Sequence, residues 1–307
     1  MLKNPMEQWH YACAGLLVRS QLEVPEWAGF ELTPAPVNVD VVITLDDESA
    51  NNDNQPVIRA DEFRFAVPEV GSYWVREGRE IRVSPAPGAG WREVRLYLLG
   101  SAWGALCYQR DLLVLHASAV KVEAGAVVFC ADPGMGKSTL AAWLTTQGHA
   151  LVSDDMTRFD VPTQGQPVIY PSAPRLKLWQ DALDTLEWNS PNLERDHYRY
   201  DKFHLPLNGN GTRHPLPLRA IYVLEWGDLE LSRLTGQAAL RRFISAATYR
   251  GALLEPMGKM GAYWRQCLEL VSRVPVWELK RPRDWSTMKA TMNLLMAHWQ
   301  DELKKIV

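Results

Sequence analysis

The chain has 307 residues, and its 33 Lys and Arg against 36 Asp and Glu leave a formal net charge of −3. Hydrophobic residues make up 47% and charged residues 22%, which is ordinary globular composition and excludes general disorder. Such a charge balance offers no global electrostatic reason to expect nucleic acid or a membrane surface as a partner. The length fits one large domain or two ordinary ones, at about 100–200 residues each.

The cysteines and the apolar runs indicate the compartment. Cys13, Cys107, Cys130 and Cys267 lie far apart and form no CxxC pair, which argues against a zinc site or a disulfide framework and favours a reducing compartment. The first residues lead into no signal-type apolar stretch, and no apolar run reaches the length of about 18 residues that a membrane span needs. We therefore expect a cytoplasmic protein.

The N-terminal third of the sequence predicts β-structure. Short runs rich in β-branched and aromatic residues are separated by Pro and Gly. The predicted strands are Val37–Thr44, Phe63–Val67, Ser72–Val75 and Glu80–Val83. Polar residues at Asp46–Gln55 predict a loop, and Pro85–Gly90 is the best linker. The sequence thus predicts a small β-rich domain over residues 1–95.

Strands and helices alternate in the rest of the chain, which predicts an α/β domain over residues 96–307. Helices are predicted at Trp91–Tyr108, Gly136–Gln147, Gly236–Leu253, Lys259–Arg273 and Thr287–Lys305. Strands are predicted at Leu112–Val120, Ala126–Cys130, Ala150–Ser153, Val168–Tyr170, Ile221–Leu224 and Val276–Leu279.

The most specific motif is a phosphate-binding loop. Residues 131–139 match G-x-x-x-x-G-K-[ST], with Ala131 in place of the first glycine, between a buried strand and an apolar helix. Gly134 and Gly136 allow successive N–H groups to face an anion, and the helix dipole adds to this. Lys137 would reach the β- and γ-phosphates and Ser138 would hold Mg²⁺. The predicted nucleotide-binding residues are Asp132, Pro133, Gly134, Met135, Gly136, Lys137, Ser138 and Thr139.

Two adjacent carboxylates follow the next strand. Asp154 and Asp155 come 17 and 18 residues after Lys137, at the strand end where open α/β sheets bind ligands. One can hold Mg²⁺ and the other can accept a proton from a substrate hydroxyl. Phosphoryl transfer needs both of these roles. Adjacent strand residues point to opposite faces, so the chain must bend after Ser153 if both are to serve one site. The alternative is a helix-capping or turn pair.

Further polar residues are weaker predictions. His116, in the middle of a predicted strand, either orients an aspartate, contacts phosphate or is a core histidine. Arg175 and Lys177 alternate on a predicted extended segment, where they either stabilise the transferring phosphoryl group or form a solvated basic pair. Residues 194–217 suit a lid, a peptide-binding loop or a disordered connector. Within them, Lys202 and Arg213 are candidate substrate contacts.

Three segments in order resemble one family. LHASAV at 115–120, the loop at 131–139 and the strand that ends in Asp154-Asp155 together are similar to the catalytic core of HPr kinase/phosphorylase, over about residues 112–160. The resemblance implies a P-loop kinase core that transfers the ATP γ-phosphate to a serine hydroxyl. It also implies that Asp154 is the general base, that Asp155 lies by the metal and Ser138, and that His116 matches the family histidine. Asp154, His116 and Lys137 are then the catalytic residues.

One departure from the family bears on the substrate. HPr kinases carry a glycine-containing signature after the aspartates, whereas this chain has YPSAPRLKL at 170–178. This argues against HPr itself as the acceptor. The pattern looks more like divergent relatives, among them kinases of the C-terminal serine of lasso-peptide precursors.

We therefore expect an ATP- and Mg²⁺-dependent serine kinase of a peptide or small protein. We expect neither nucleic acid nor membrane as a partner, and a homo-oligomer is compatible with the resemblance. Two other functions stay open: a small-molecule kinase with the same core, and a nucleotide-binding switch without phosphotransfer.

Overall fold

A computed structural model describes residues 8–46, 56–173, 175–188, 193–195, 201–206 and 213–302. The chain divides into two compact units, Met1–Val114 with Tyr249–Trp264, and Leu115–Thr248 with Arg265–Val307. These units place residues 96–114 and 249–264 with the N-terminal strands. The division into two domains, residues 1–95 and 96–307, stays a prediction about which parts of the chain fold independently.

The first unit contains a seven-stranded sheet, in the order β1-β2-β3-β7-β6-β5-β4. Its strands are β1 (Trp9–Cys13), β2 (Leu16–Ser20), β3 (Val41–Leu45), β4 (Val57–Ile58), β5 (Glu62–Val67), β6 (Gly71–Arg76) and β7 (Glu80–Pro85). The three predicted strands between residues 63 and 83 are confirmed, and the one predicted from Val37 begins only at Val41. Of the predicted loop at 46–55, residues 47–55 lie outside the described residues.

One helix follows this sheet and packs on it. It comprises α1 (Trp91–Tyr97), a π-helical turn (Leu98–Ala102) and α2 (Trp103–Gln109), which confirms the helix predicted at Trp91–Tyr108. The Tyr73 hydroxyl donates a hydrogen bond of 2.8 Å to the Val94 carbonyl, and Leu98 and Trp103 are buried. Pro85–Gly90 therefore leads into a helix of the same unit.

The second unit contains two sheets and most of the remaining helices. Its strands are β8 (Leu113–Val122), β9 (Gly125–Cys130), β10 (Leu151–Ser153), β11 (Met156–Asp160), β12 (Val168–Tyr170), β13 (Arg175–Trp179), β14 (Glu194–Arg195), β15 (Lys202–Pro206), β16 (Leu216–Trp226), β17 (Glu230–Leu234) and β18 (Val276–Arg281). The helices are α3 (Lys137–Thr146), α4 (Gln180–Thr185), α5 (Gly236–Ala247), α6 (Met260–Arg273) and α7 (Met288–Glu302), of which α6 runs across the boundary between the units.

Strand directions in the larger sheet bring several strand ends to one edge. β9, β16 and β18 run parallel. β8 is antiparallel to β9, and β10 is antiparallel to β8, so β10 runs in the direction of β9. The carboxyl ends of β9, β10, β16 and β18 therefore share an edge with the first half of β8. This is the edge at which open α/β sheets bind ligands.

The predicted helices and strands of this region are found, with shifted ends. α3 ends in a Schellman motif: the His149 N–H donates to the Leu144 carbonyl and the Gly148 N–H to the Thr145 carbonyl, both at 3.1 Å, and Gly148 has φ +94°. α5 stops before the predicted Leu253, because Thr248 is extended and Arg250 has φ +45°. The last residues of the helix predicted to reach Lys305 lie outside the described residues.

No helix in the described ranges is both long enough and apolar enough to pass through a membrane.

Candidate functional site

The predicted loop lies between β9 and α3. Gly134 and Gly136 have φ angles of +87° and +78°, in the left-handed region that favours glycine. The Met135 N–H donates to the Asp132 carbonyl at 3.2 Å, which closes a tight turn. Ala131, at the position of the first glycine of the motif, is buried. The strand–loop–helix context that the motif requires is thus confirmed.

The loop lysine is held inside the loop. Lys137 is 6% exposed, and its Nζ donates hydrogen bonds to the carbonyls of Ala131 at 2.6 Å and Asp132 at 3.4 Å. Asp132, Pro133 and Gly134 are exposed, whereas Ser138 and Thr139 are half-buried at the start of α3. The helix N-terminus and an ammonium group therefore meet at one place, which favours an anionic ligand.

Asp154 accepts three hydrogen bonds, two from hydroxyl groups and one from the backbone. Its Oδ1 accepts from the hydroxyls of Ser118 at 2.6 Å and Ser138 at 2.9 Å, and its Oδ2 accepts from the Lys177 N–H at 3.1 Å. Burial raises the pKa of Asp154 above its usual range, the charge of Asp155 adds to this, and the three hydrogen bonds act in the opposite direction. The residue that follows β10 is thereby fixed against the first turn of α3.

Asp155, like Asp154, is half-buried. Its φ is +73°, a left-handed conformation that Asp adopts more readily than most residues, and the Met156 N–H donates to the Asp154 carbonyl at 3.0 Å. The predicted bend after Ser153 is therefore present. The Asp155 carboxylate forms an ion pair with Lys177, and its Oδ1 lies 3.6 Å from Nε2 of His116. Its side chain is 33% exposed.

The structure brings only some of the other predicted residues to the aspartate pair. His116 lies near the start of β8, beyond the Ala117–Cys130 pair, and therefore at the edge where the loop begins. Lys177 joins the two aspartates through its backbone and its side chain, whereas Arg175 is half-buried two residues earlier on β13. The Lys202 side chain lies outside the described residues, and Arg213 is exposed.

Two residues of this edge were not predicted. Ser118 is buried and donates to Asp154, and strand alternation places it on the same face of β8 as His116, so the LHASAV segment contained the signal. Arg281 ends β18, and its Nη2 donates to the carbonyls of Met135 and Gly136. Only the position of β18 in the sheet could have indicated Arg281.

The chemistry of the donors fits a magnesium ion. Ser138 and Asp154 supply a hydroxyl and a carboxylate, which are the hard oxygen ligands that Mg²⁺ prefers. In the described parts of the chain, no group of three or more His, Cys, Asp or Glu residues could hold a metal by itself. Sites that bind Mg²⁺ together with nucleotide use one or two protein ligands and complete the shell with phosphate and water.

Comparison with known proteins leaves the family open. No family model matches the chain, and no curated protein matches it. Among solved structures, it is similar to the HPr(Ser) kinase/phosphatase from Coxiella burnetii, with 12% identity and a TM-score of 0.34 over 61% of this chain and 96% of that one. A likeness at this level carries no argument about fold or activity. What the structure defines is a mixed α/β protein with a P-loop, and the resemblance to HPr kinase/phosphorylase stays a prediction.

Proposed function

We propose that this protein is an ATP- and Mg²⁺-dependent kinase that transfers the γ-phosphoryl group to a serine hydroxyl of a peptide or small protein. The proposal rests on one observation: the P-loop lies beside two aspartates. Asp154 accepts a hydrogen bond from the loop residue Ser138, and the Asp155 side chain is partly exposed. A site that only binds nucleotide has no need of the second carboxylate. Phosphoryl transfer to an alcohol uses it to accept the hydroxyl proton.

The nucleotide would bind through the loop and the start of α3. The N–H groups around Gly134 and Gly136 provide the anion-binding hollow, and Lys137 is placed to exchange its contacts with the loop carbonyls for contacts with phosphate oxygens. Ser138 and Asp154 would hold Mg²⁺, which neutralises charge on the β- and γ-phosphates when bound.

The contacts favour a division of roles between the aspartates that is opposite to the one the resemblance implies. Asp154, not Asp155, is bonded to Ser138, and its three hydrogen bonds leave little room for an incoming hydroxyl. The Asp155 side chain is 33% exposed and lies beside His116 and Lys177. We therefore assign the metal to Asp154 and the proton to Asp155.

In the proposed reaction the serine oxygen attacks the γ-phosphorus as the bond to the ADP oxygen breaks. The hydroxyl proton passes to the Asp155 carboxylate, and the products are the phosphoester, ADP and that proton. Lys177 holds the carboxylate in place, and His116 stands near enough to orient it or to take the proton onward. A positioned general base contributes about 10²–10⁴-fold.

The proposed acceptor follows from the segment at residues 170–178. The second half of that segment, residues 175–178, lies on β13, which contributes Lys177 to the site and pairs with β15. A lasso-peptide precursor with a C-terminal serine is the specific acceptor that follows from the resemblance, and the cytoplasm is the compartment proposed for the reaction.

The test is transfer of label from γ-³²P ATP with Mg²⁺ to a peptide that ends in serine. The matched control peptide ends in alanine, and the matched control protein is Lys137→Ala, which should lose nucleotide binding and transfer together. Label on the serine peptide alone is the expected result. Release of free phosphate without a labelled acceptor would support a nucleotide-binding switch, and label on a metabolite pool would support a small-molecule kinase.

The roles of the aspartates are tested by comparing Asp155→Asn with Asp154→Asn. Asn also tolerates the left-handed conformation at residue 155, so the first change leaves the backbone intact. We expect Asp155→Asn to bind Mg·ATP normally and to lose about 10²-fold or more in turnover. Asp154→Asn should weaken Mg²⁺-dependent nucleotide binding itself. The opposite pattern would restore the roles implied by the resemblance.

A further inference from the structure

Arg281, the last residue of β18, is a buried cation directly behind the phosphate-binding loop. It is 3% exposed, and its Nη2 donates hydrogen bonds of 3.2 Å to the carbonyl oxygens of both Met135 and Gly136. Its guanidinium carbon lies 4.3 Å from the ring centroid of Trp226, the last residue of the neighbouring strand β16. Burial lowers the pKa of Arg281 to about 10, which leaves it protonated at neutral pH.

This cation has no acidic counterpart in the part of the chain that the structure describes. Among the described residues no carboxylate forms an ion pair with Arg281, and its Nε is buried without a hydrogen-bond acceptor. Nη1 contacts the Sδ of Met288 at 3.8 Å. A buried charge without a counter-charge is costly to the fold. The compensation here comes from the Trp226 ring and from two carbonyls of the loop.

Those two hydrogen bonds bear on the direction of the next two N–H groups. The Gly136 carbonyl also accepts the first hydrogen bond of α3, from the Leu140 N–H at 2.9 Å, so the arginine acts on it together with the helix and on the Met135 carbonyl by itself. In a planar trans peptide the carbonyl and the following N–H point to opposite sides. When Arg281 holds the carbonyls of Met135 and Gly136 on the inner side of the loop, the N–H groups of Gly136 and Lys137 point to its outer side. That is the side on which a phosphate would lie, by the geometry of nests and helix N-termini.

The glycine at the contact confirms how closely the two groups approach. A Cβ added at Gly136 would lie 2.3 Å from Nη2 of Arg281 and 3.3 Å from the Trp226 ring. A Cβ added at Gly134, which has the same sign of φ, would meet nothing within 4 Å. A Cβ at Gly136 is therefore disfavoured by its φ and would also displace the Arg281 guanidinium, while a Cβ at Gly134 is disfavoured by its φ alone.

We infer that Arg281 is a positioning residue that keeps the loop open toward phosphate by holding two of its carbonyls from behind. In this role it acts through the loop backbone that it holds. The inference rests on the proposed function, because it presupposes that the loop binds a nucleotide phosphate.

The test compares Arg281→Met and Arg281→Lys with Arg233→Met in Mg·ATP binding and kinetics. Arg233 lies on β17 with its guanidinium over Trp277 at 5.0 Å, so Arg233→Met removes an arginine from a tryptophan of the same sheet away from the loop. We expect Arg281→Met to raise Kd and KM for ATP about 10-fold or more, while the KM for the acceptor stays unchanged. Arg281→Lys keeps the charge and should fall between Arg281→Met and the natural protein.

Hydrogen exchange of residues 131–139 supplies the readout that separates positioning from general stability. Faster exchange confined to this loop is expected in Arg281→Met, with the same exchange elsewhere. If Arg281→Met does not fold, Arg281→Lys decides. Nucleotide binding by the Arg281 variants equal to that of the natural protein, with Lys137→Ala inactive, would overturn the inference alone. Absence of nucleotide binding by the natural protein would overturn the proposed function as well.

Discussion

The hydroxyl of Ser138 donates a hydrogen bond of 2.9 Å to Asp154, a residue 16 positions further along the chain. This bond joins the first turn of α3 to the residue that follows β10. It brings together a helix N-terminus and a carboxylate that the sequence separates by a whole helix and a strand. The two oxygens are close enough to bind one cation together. The distance between them is therefore the central geometric feature of the site.

The first prediction concerns this bond. Ser138→Ala should weaken binding of Mg·ATP by about 10-fold or more, since it removes a proposed metal ligand and a hydrogen bond to a charged group. Binding of ATP in EDTA should change little. Thr146→Ala is the matched control, because it removes an exposed hydroxyl at the other end of α3. Equal losses with and without Mg²⁺ would argue against the metal role of Ser138.

A second prediction distinguishes the loop glycines. Gly134→Ala and Gly136→Ala each place a Cβ in the left-handed region, at a cost of about 1–2 kcal/mol. Only the Cβ of Gly136→Ala also meets Arg281. We therefore expect Gly136→Ala to lower the Tm further than Gly134→Ala and to abolish nucleotide binding.

Gly148→Ala is the control for this comparison. Gly148 has φ +94° and open space around its Cα, but it ends α3 away from the loop. Its replacement should lower the Tm and leave nucleotide affinity unchanged. Should Gly136→Ala bind ATP as well as Gly148→Ala does, the close approach of Arg281 would have no bearing on the loop.

The loop and the aspartate pair could be predicted because the residues that indicate them lie close together in the sequence. The glycine spacing, the lysine and the flanking apolar runs all fall within about 20 residues, and together they indicate one structure, a phosphate-binding loop.

The first hairpin was missed although its signal was equally local. β1 and β2 are joined by Ala14 and Gly15, both with positive φ, as in a two-residue hairpin turn, but the apolar run around them suggested no strand boundary.

The division of roles at the site could not be predicted in the same way. Asp155 has a left-handed φ of +73°, which an Asp residue permits but does not require, so the residue types alone do not show which aspartate faces Ser138. Arg281 contacts Met135 across 146 positions, so only the order of strands in the sheet brings the two together. Contacts of this kind follow from topology and packing, which a single sequence constrains weakly.

Thiol chemistry provides the third prediction. Cys13, Cys107, Cys130 and Cys267 are all buried, and burial raises the pKa of Cys130 to about 12. The folded protein should therefore show no fast reaction with Ellman's reagent near neutral pH. Four thiols should react at once in denaturant, which is the internal control. A fast-reacting thiol in the folded protein would show that one of these sites opens to solvent.

The fourth prediction concerns the dependence of stability on pH. His298 on α7 lies 4.3 Å from the Trp277 ring and 5.9 Å from the Tyr222 ring, measured between centroids, and its Nε2 is buried without a hydrogen-bond partner among the described residues. Burial lowers the pKa of His298, Arg233 lowers it further, and Glu302 and Asp301 act in the opposite direction. The folded state thus binds the proton more weakly than the unfolded chain.

The sign of the effect follows from that difference. Above the unfolded pKa of about 6.5 the imidazole is neutral in both states, so its titration does not change the free energy of unfolding. As the pH falls, the unfolded state takes up the proton first, and the free energy of unfolding therefore decreases. We expect the urea midpoint to fall between about pH 7.5 and 5.5, and this slope to flatten in His298→Phe, which keeps an aromatic ring without a titrating group. Exposed His214→Gln removes an imidazole outside this cluster and is the control. If His298→Phe retains the full slope, the acid sensitivity arises from other groups, and the ring of His298 is not shielded from water as its packing indicates.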